Sequence, residues 1–247
     1  METCKEDKLK IRAFTLAEVL ITLGVIGVVA AMTLPTVINQ YNKIVTVTRL
    51  QKSYTVFSQA IKMAEVKYGP AREWPDWNDA EIILDKYIIP ELNGAKKYGK
   101  VSNERRAMCY DASQKTHNSG TDLASPYIWM NNGWYIDSPF FARATASVRL
   151  NDSSCIGLNP TVGTGGQGYY VFIDINGSNS PNVAGEDLFF FIINEKSQLV
   201  PLGMEKPYAQ ISGTNSHGTC NRKAAKGLSP GMYCAARIMS DGWRMKY

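Results

Sequence analysis

From Phe14 to Ile38 the chain reads FTLAEVLITLGVIGVVAAMTLPTVI, 25 residues in which Glu18 is the single charge. A helix needs about 20 predominantly apolar residues to cross the hydrocarbon of a bilayer. A helix buried in a soluble core is the alternative, but an all-round apolar face of this length argues against it. The stretch therefore predicts a transmembrane helix. Lys5, Lys8, Lys10 and Arg12 precede it, diluted by Glu2, Glu6 and Asp7, while Lys43 and Arg49 follow at a distance. Cytoplasmic flanks carry the excess of cations, so the N-terminus is expected in the cytoplasm and residues after about 40 outside. No A-x-A-like cleavage site follows the apolar core, so the segment reads as retained rather than removed. The rest of the 247 residues, with 11% aromatic and 20% charged, has the composition of a globular protein and excludes a disordered or collagen-like chain.

Glu18 is the anomaly. A carboxylate in lipid costs several kcal/mol unless something pairs with it. No basic residue lies within a turn on its C-terminal side. A free amine at Phe14 would lie one turn back, and it exists only if the chain is cut between Ala13 and Phe14. AFTLAEVLITLGVIGVVAAMTLP resembles the N-terminus of type IV pilins and of the pseudopilins of type II secretion. The resemblance implies that prepilin peptidase removes the leader, residues 1–13, and N-methylates Phe14. It implies that Glu18 pairs with the N-terminal amine of a neighbouring subunit and sets the stagger of assembly, and that Pro35 is the family's helix-kinking proline. Ala13 departs from the glycine usual before the cut. The plain alternative is that Glu18 snorkels to the nearby cytoplasmic face.

The helix is expected to continue past the membrane. Val47, Leu50, Tyr54, Phe57, Ile61, Ala64 and Tyr68 are spaced 3, 4, 3, 4, 3, 4, a continuous seam on one face. Gly69 and Pro70 then make a stop. One helix from Phe14 to about Tyr68 would be roughly 80 Å long at 1.5 Å per residue. The domains read as leader 1–13, transmembrane or filament-core helix 14–38, amphipathic continuation 39–68 and an extracytoplasmic head 69–247. NDAEIILDKYIIPEL predicts a short helix with Asn78 and Glu81 as a capping box. YIWMNNGWYI predicts a hairpin across Asn131-Asn132-Gly133. GYYVFIDI and DLFFFII predict strands, and QLVPL follows the latter across a turn at Glu195-Lys196-Ser197. The fold class is α+β: antiparallel strands packed on the outer part of the long helix, as the pilin resemblance implies. The Gly-rich VGTGGQG, residues 162–168, lacks a P-loop lysine and opens no helix.

With Cys4 in the leader, Cys109, Cys155, Cys220 and Cys234 remain, an even number in a segment expected to face an oxidising compartment. They allow three pairings, or buried free thiols. Cys220–Cys234 with Cys109–Cys155 is favoured, and the C-terminal disulfide loop common in pilins supports the first pair. His117 and His217 without a C-x-x-C make no zinc site. In DINGSNSPNVAGEDLF the residues Asp174, Asn176, Ser178, Glu186 and Asp187 are hard oxygen donors, the type calcium takes six to eight of. The spacing fails as an EF-hand, since an acid is missing twelve residues from the start. The calcium site known in major pseudopilins raises the expectation of calcium here, while Asx and Gly also serve plain turns.

No nucleophile motif accompanies either histidine, and the chain is not expected to be an enzyme. The leading expectation is a structural subunit, minor rather than major given the large head, of a type IV pilus or pseudopilus. Its partners would be prepilin peptidase, other pilin or pseudopilin subunits and the cytoplasmic membrane. The alternative is a filament-borne binding module for adhesion or DNA uptake. Removing the leader's four cations and three acids from 27 and 22 leaves 23 against 19, only mildly basic. The densest basic run, NRKAAK, has no interleaved aromatics to stack nucleobases.

Overall fold

In the computed structural model the described residues are 15–75, 79–98, 109, 127–130, 136, 146–160, 168–177, 179–225 and 227–247. The leader with Ala13 and Phe14, Asn78, the Asn131-Asn132-Gly133 turn, His117, Ser178 and most of the Gly-rich loop lie outside them. The chain divides into two compact units, the first ending at Asn42 and the second running from Lys43 to Tyr247.

Helix α1 is Leu16–Tyr68, unbroken, with Pro35 inside it. It is long and apolar enough to cross a membrane, and none of its most apolar stretch is buried in the protein. Its end follows from chemistry: Gly69 takes a φ of +81° and its N–H donates to the Glu65 carbonyl. That left-handed residue suits glycine, and Pro70 cannot prolong a helix. From Val47 onward the predicted seam is the buried face: Val47, Leu50, Phe57, Ile61 and Ala64 are buried, joined by Ser53 and Ala60. Tyr54 is half-buried, and its ring stacks on Phe191 at 5.6 Å. Tyr68, the last seam position, is largely exposed and meets Tyr87 edge-on.

After α1 comes α2 (Ala80–Ile82), which runs into a π-helical turn, Ile83–Ile88, and a 3-10 turn, Ile89–Glu91. The cap is Asp79, whose carboxylate accepts from the N–H of Glu81 and Ile82. The short helix was legible, but its cap is one residue later than the sequence pattern suggested.

Six strands follow: β1 (Lys96–Tyr98), β2 (Ala146–Arg149), β3 (Cys155–Pro160), β4 (Tyr169–Asp174), β5 (Leu188–Ile193) and β6 (Leu199–Pro201). They form one antiparallel sheet in sequence order. Between β5 and β6 the turn lies at Glu195-Lys196-Ser197, as the sequence indicated, with Asn194 capping the N–H of Lys196 and Gln198. Both faces of the sheet are covered. Val171, Ile173, Phe189 and Phe191 pack in one core with Leu50, Phe57 and Ile61 of α1. Phe172, Leu188 and Phe190 point the other way, into a second core with Tyr127, Ile136 and Met232. This is why β4 and β5 read as unbroken apolar runs: alternate residues bury on opposite sides.

At the sheet's far edge the Leu199 carbonyl accepts from the Tyr54 hydroxyl. The next edge group, Pro201, has no N–H, and its carbonyl accepts from Met204. Helices α3 (Tyr208–Ser212) and α4 (Cys234–Ser240) complete the chain. The disulfides are Cys109–Cys155 and Cys220–Cys234, the pairing favoured from the sequence. In the YIWMNNGWYI segment, Ile136 donates its N–H to the Tyr127 carbonyl, and Ile128 forms a parallel bridge with Val183.

Candidate functional site

Two regions carry the residues singled out by the sequence: the start of α1 and the β4–β5 loop. At the start of α1, Glu18 is not left unpaired. Its Oε2 accepts from the Thr15 N–H at 2.8 Å and from the Thr15 hydroxyl at 2.9 Å, while the Thr15 Oγ1 accepts from the Glu18 N–H at 3.2 Å. This is a reciprocal capping box, which satisfies helix-end donors that would otherwise have no partner. Thr15 is thus a helix-capping residue that the sequence reading passed over. Its signal was present: T-L-A-E directly before an apolar run has the capping-box spacing. The box does not neutralise the carboxylate's charge, so an attraction to a cation remains. Pro35 sits near the C-terminal end of the exposed apolar stretch of α1.

The β4–β5 loop spans residues 175–187. Asp174, at the end of β4, is fully buried. Its carboxylate accepts from the Tyr127 hydroxyl at 2.6 Å and from the Asn176 N–H at 3.1 Å. Asp187, just before β5, is almost fully buried, and its two oxygens accept from the N–H of Asn182 and Val183, both at 2.6 Å. Burial and the nearby Asp187 charge push the Asp174 carboxyl up to about 8, against the pull of Tyr127 and two backbone N–H groups. Burial likewise pushes Asp187 up to about 6, against its hydrogen bonds from Asn182, Val183 and the Asn176 side chain. The loop backbone ties in closely. A Cβ on Gly177 (φ +63°) would come within 2.5 Å of the Ser153 carbonyl. One on Gly185 (φ +82°) would come within 2.5 Å of the Cys234 Sγ.

Of the expected calcium donors, Asp174, Asn176 and Asp187 are brought into this loop and hydrogen-bonded network. Glu186 lies in the same loop, its N–H donating to the Val183 carbonyl, but its carboxylate forms an ion pair with Arg222. Among the described residues no three His, Cys, Asp or Glu side chains converge into a metal-sized group. One observation fits a cation. The Asn176 Oδ1 is buried and accepts no hydrogen bond, although its Nδ2 donates to the Ser180 carbonyl. Two buried carboxylates and an amide oxygen without a donor have the hard-oxygen chemistry calcium prefers. Backbone carbonyls and water would have to supply the rest of the shell. Nothing in the linear sequence pointed to Tyr127, which reaches Asp174 from 47 residues away.

A family model matches residues 36–247. The chain belongs to DUF6613, a family of unknown function. The match covers the outer part of α1 and everything after it, and begins where the most apolar stretch ends. No curated protein and no solved structure matches the chain.

Proposed function

We propose that this DUF6613 member is a filament subunit of the type IV pilin or pseudopilin kind, anchored in the cytoplasmic membrane and then assembled through α1. The observation that carries the reading is the division of one helix into two environments. Large apolar side chains from Leu16 to Ile38 are 42% to 77% exposed, with a hydrogen-bonded Glu18 at the start. The same helix from Val47 on is a one-sided spine of a disulfide-bonded, two-core head. An all-round apolar helix needs lipid or other helices around it. A subunit that leaves a membrane for a helical filament core meets both needs in turn. In this reading residues 1–13 are cut off, Phe14 becomes the methylated N-terminus, and the head faces outward.

The test is intact mass and N-terminal sequence of the chain produced with and without a prepilin peptidase. Methylated Phe14 as the new N-terminus, only in the presence of the peptidase, is the expected result. A chain that keeps residues 1–13 with a matched peptidase reduces the segment to a plain anchor.

The buried Asn176 Oδ1 favours a second reading, for the β4–β5 loop: calcium held by Asp174, Asp187 and Asn176. Calorimetric titration of the full chain in detergent with millimolar calcium tests it. Heat that disappears in Asn176→Ala is expected, and no heat at all removes the reading.

A further inference from the structure

Val37, Tyr41 and Ile44 repeat at i, i+4 and i+7 along α1 and are 60%, 65% and 66% exposed. Bilayer hydrocarbon covers about 20 residues of helix, so a span that begins at Leu16 is complete near Pro35. Tyr41 and Ile44 lie beyond it. Large apolar side chains in line on a water-facing helix mark an interaction surface.

The head carries a complementary surface. A groove of about 430 Å³ runs between the outer part of α1 and two loops. Lys52, Val56 and Met63 form its helix side, Leu92 and Leu150 face them, and Asp152 stands among the loop residues. Asp152 pairs with Lys52 at 2.9 Å, and both side chains remain open to solvent. Such a pair contributes at most about 1 kcal/mol and is readily exchanged. Between Val37 and Ile44 the single charge is Lys43, which can take over Asp152.

We propose that the groove of one copy receives the Val37–Tyr41–Ile44 face of a second copy's α1, with Lys43 of that copy set against Asp152. The proposal rests on the filament reading and names a contact within it. The two surfaces differ, so the contact is head-to-tail. Each addition leaves one groove and one face open, which is the geometry of an open polymer rather than a closed dimer.

Disulfide trapping between two tagged forms of the full chain tests it, in phosphatidylcholine vesicles and on a Cys4→Ser background. Ile44→Cys copies mixed with Met63→Cys copies are expected to give mixed-tag dimers. Thr55→Cys, exposed on α1 outside the groove, is the control partner and is expected to give far fewer. Tyr41→Asp, or Gln59→Trp to fill the groove from an exposed position, should each lower the mixed yield about tenfold, the loss of one interface anchor. If Ile44→Cys copies link only to each other, the groove contact is wrong and the filament reading stands. If no link forms and prepilin peptidase also leaves residues 1–13 in place, both are wrong.

Discussion

The two halves of α1 are both rich in apolar residues but differ in charge and in surroundings: Glu18 is the single charge from Leu16 to Asn42, whereas Lys43, Arg49, Lys52, Lys62, Glu65 and Lys67 fall between Lys43 and Tyr68. From Leu16 to Asn42 the apolar side chains circle the helix and are exposed; from Val47 to Ala64 the seam on one face is buried, while Ile44, Met63, Val66 and Tyr68 stay exposed. The hydrophobic effect acts on area removed from water, whatever removes it. The outer half finds its cover within the chain, under Phe189 and Phe191, and so contributes to the head's own stability. The apolar side chains of the inner half are exposed, so they gain that stabilisation only where lipid or another helix surrounds them.

Substitutions can break this contrast. Phe57→Ala should destabilise the head by about 3–5 kcal/mol, the usual cost of deleting a buried aromatic, read as a lowered urea midpoint in detergent. Val25→Ala, on the exposed half, should leave that midpoint within about 0.5 kcal/mol. Equal effects would mean the halves do not differ as described. Next in size is the Cys220–Cys234 clamp, whose sequence separation is 14. Cys220→Ser with Cys234→Ser should lose about 3 kcal/mol of head stability, the scale expected for closing a loop of that size. The apolar half of α1 should keep its helicity in that variant, seen by circular dichroism of the chain in vesicles.

Thr15→Ala should lose about 1 kcal/mol of local helix stability, typical for a lost N-cap. Amide exchange should then quicken in the first turn of α1 and nowhere in the head. The smallest effect concerns Asp152. Burial pushes its carboxyl up, but hydrogen bonds from Ser154 and the Lys52 ammonium outweigh that and hold it below its ordinary 3.8. A carboxyl lowered by folding stabilises the protein above its unfolded value, and the contribution disappears as pH falls through the lowered one. The head should therefore lose stability below about pH 4, by no more than about 1 kcal/mol from this solvent-screened pair. Asp152→Asn should flatten that part of the curve in acid denaturation.

Where the sequence spoke clearly, a strong period or a run carried the signal. The seam from Val47 to Ala64 was legible because its burial repeats every 3.6 residues, the runs of β4 and β5 because both their faces are buried, and the Gly69-Pro70 stop from its residue types. Strands β1 to β3 were not. KKY and ASVR are short and polar, and CIGLNP contains Gly157 and Pro160, so these segments are strands by virtue of their neighbours rather than their own propensity. In the loop, the donor residues were legible as a type of chemistry. Their use was not. Asp187 serves the backbone of Asn182 and Val183, Glu186 turns to Arg222, and Asp174 takes a hydroxyl from Tyr127, all contacts fixed by tertiary placement.

The proline and the tyrosine bond at the β6 edge have a consequence for crowding. A membrane holds its proteins at high local concentration, and an open strand edge there is a template for amyloid-like stacking of one sheet on the next. With Leu199 engaged by Tyr54 and Pro201 without a donor, that edge offers an incoming strand little to copy. The β6 edge is thereby a poor template for strand addition even where copies of the chain are dense.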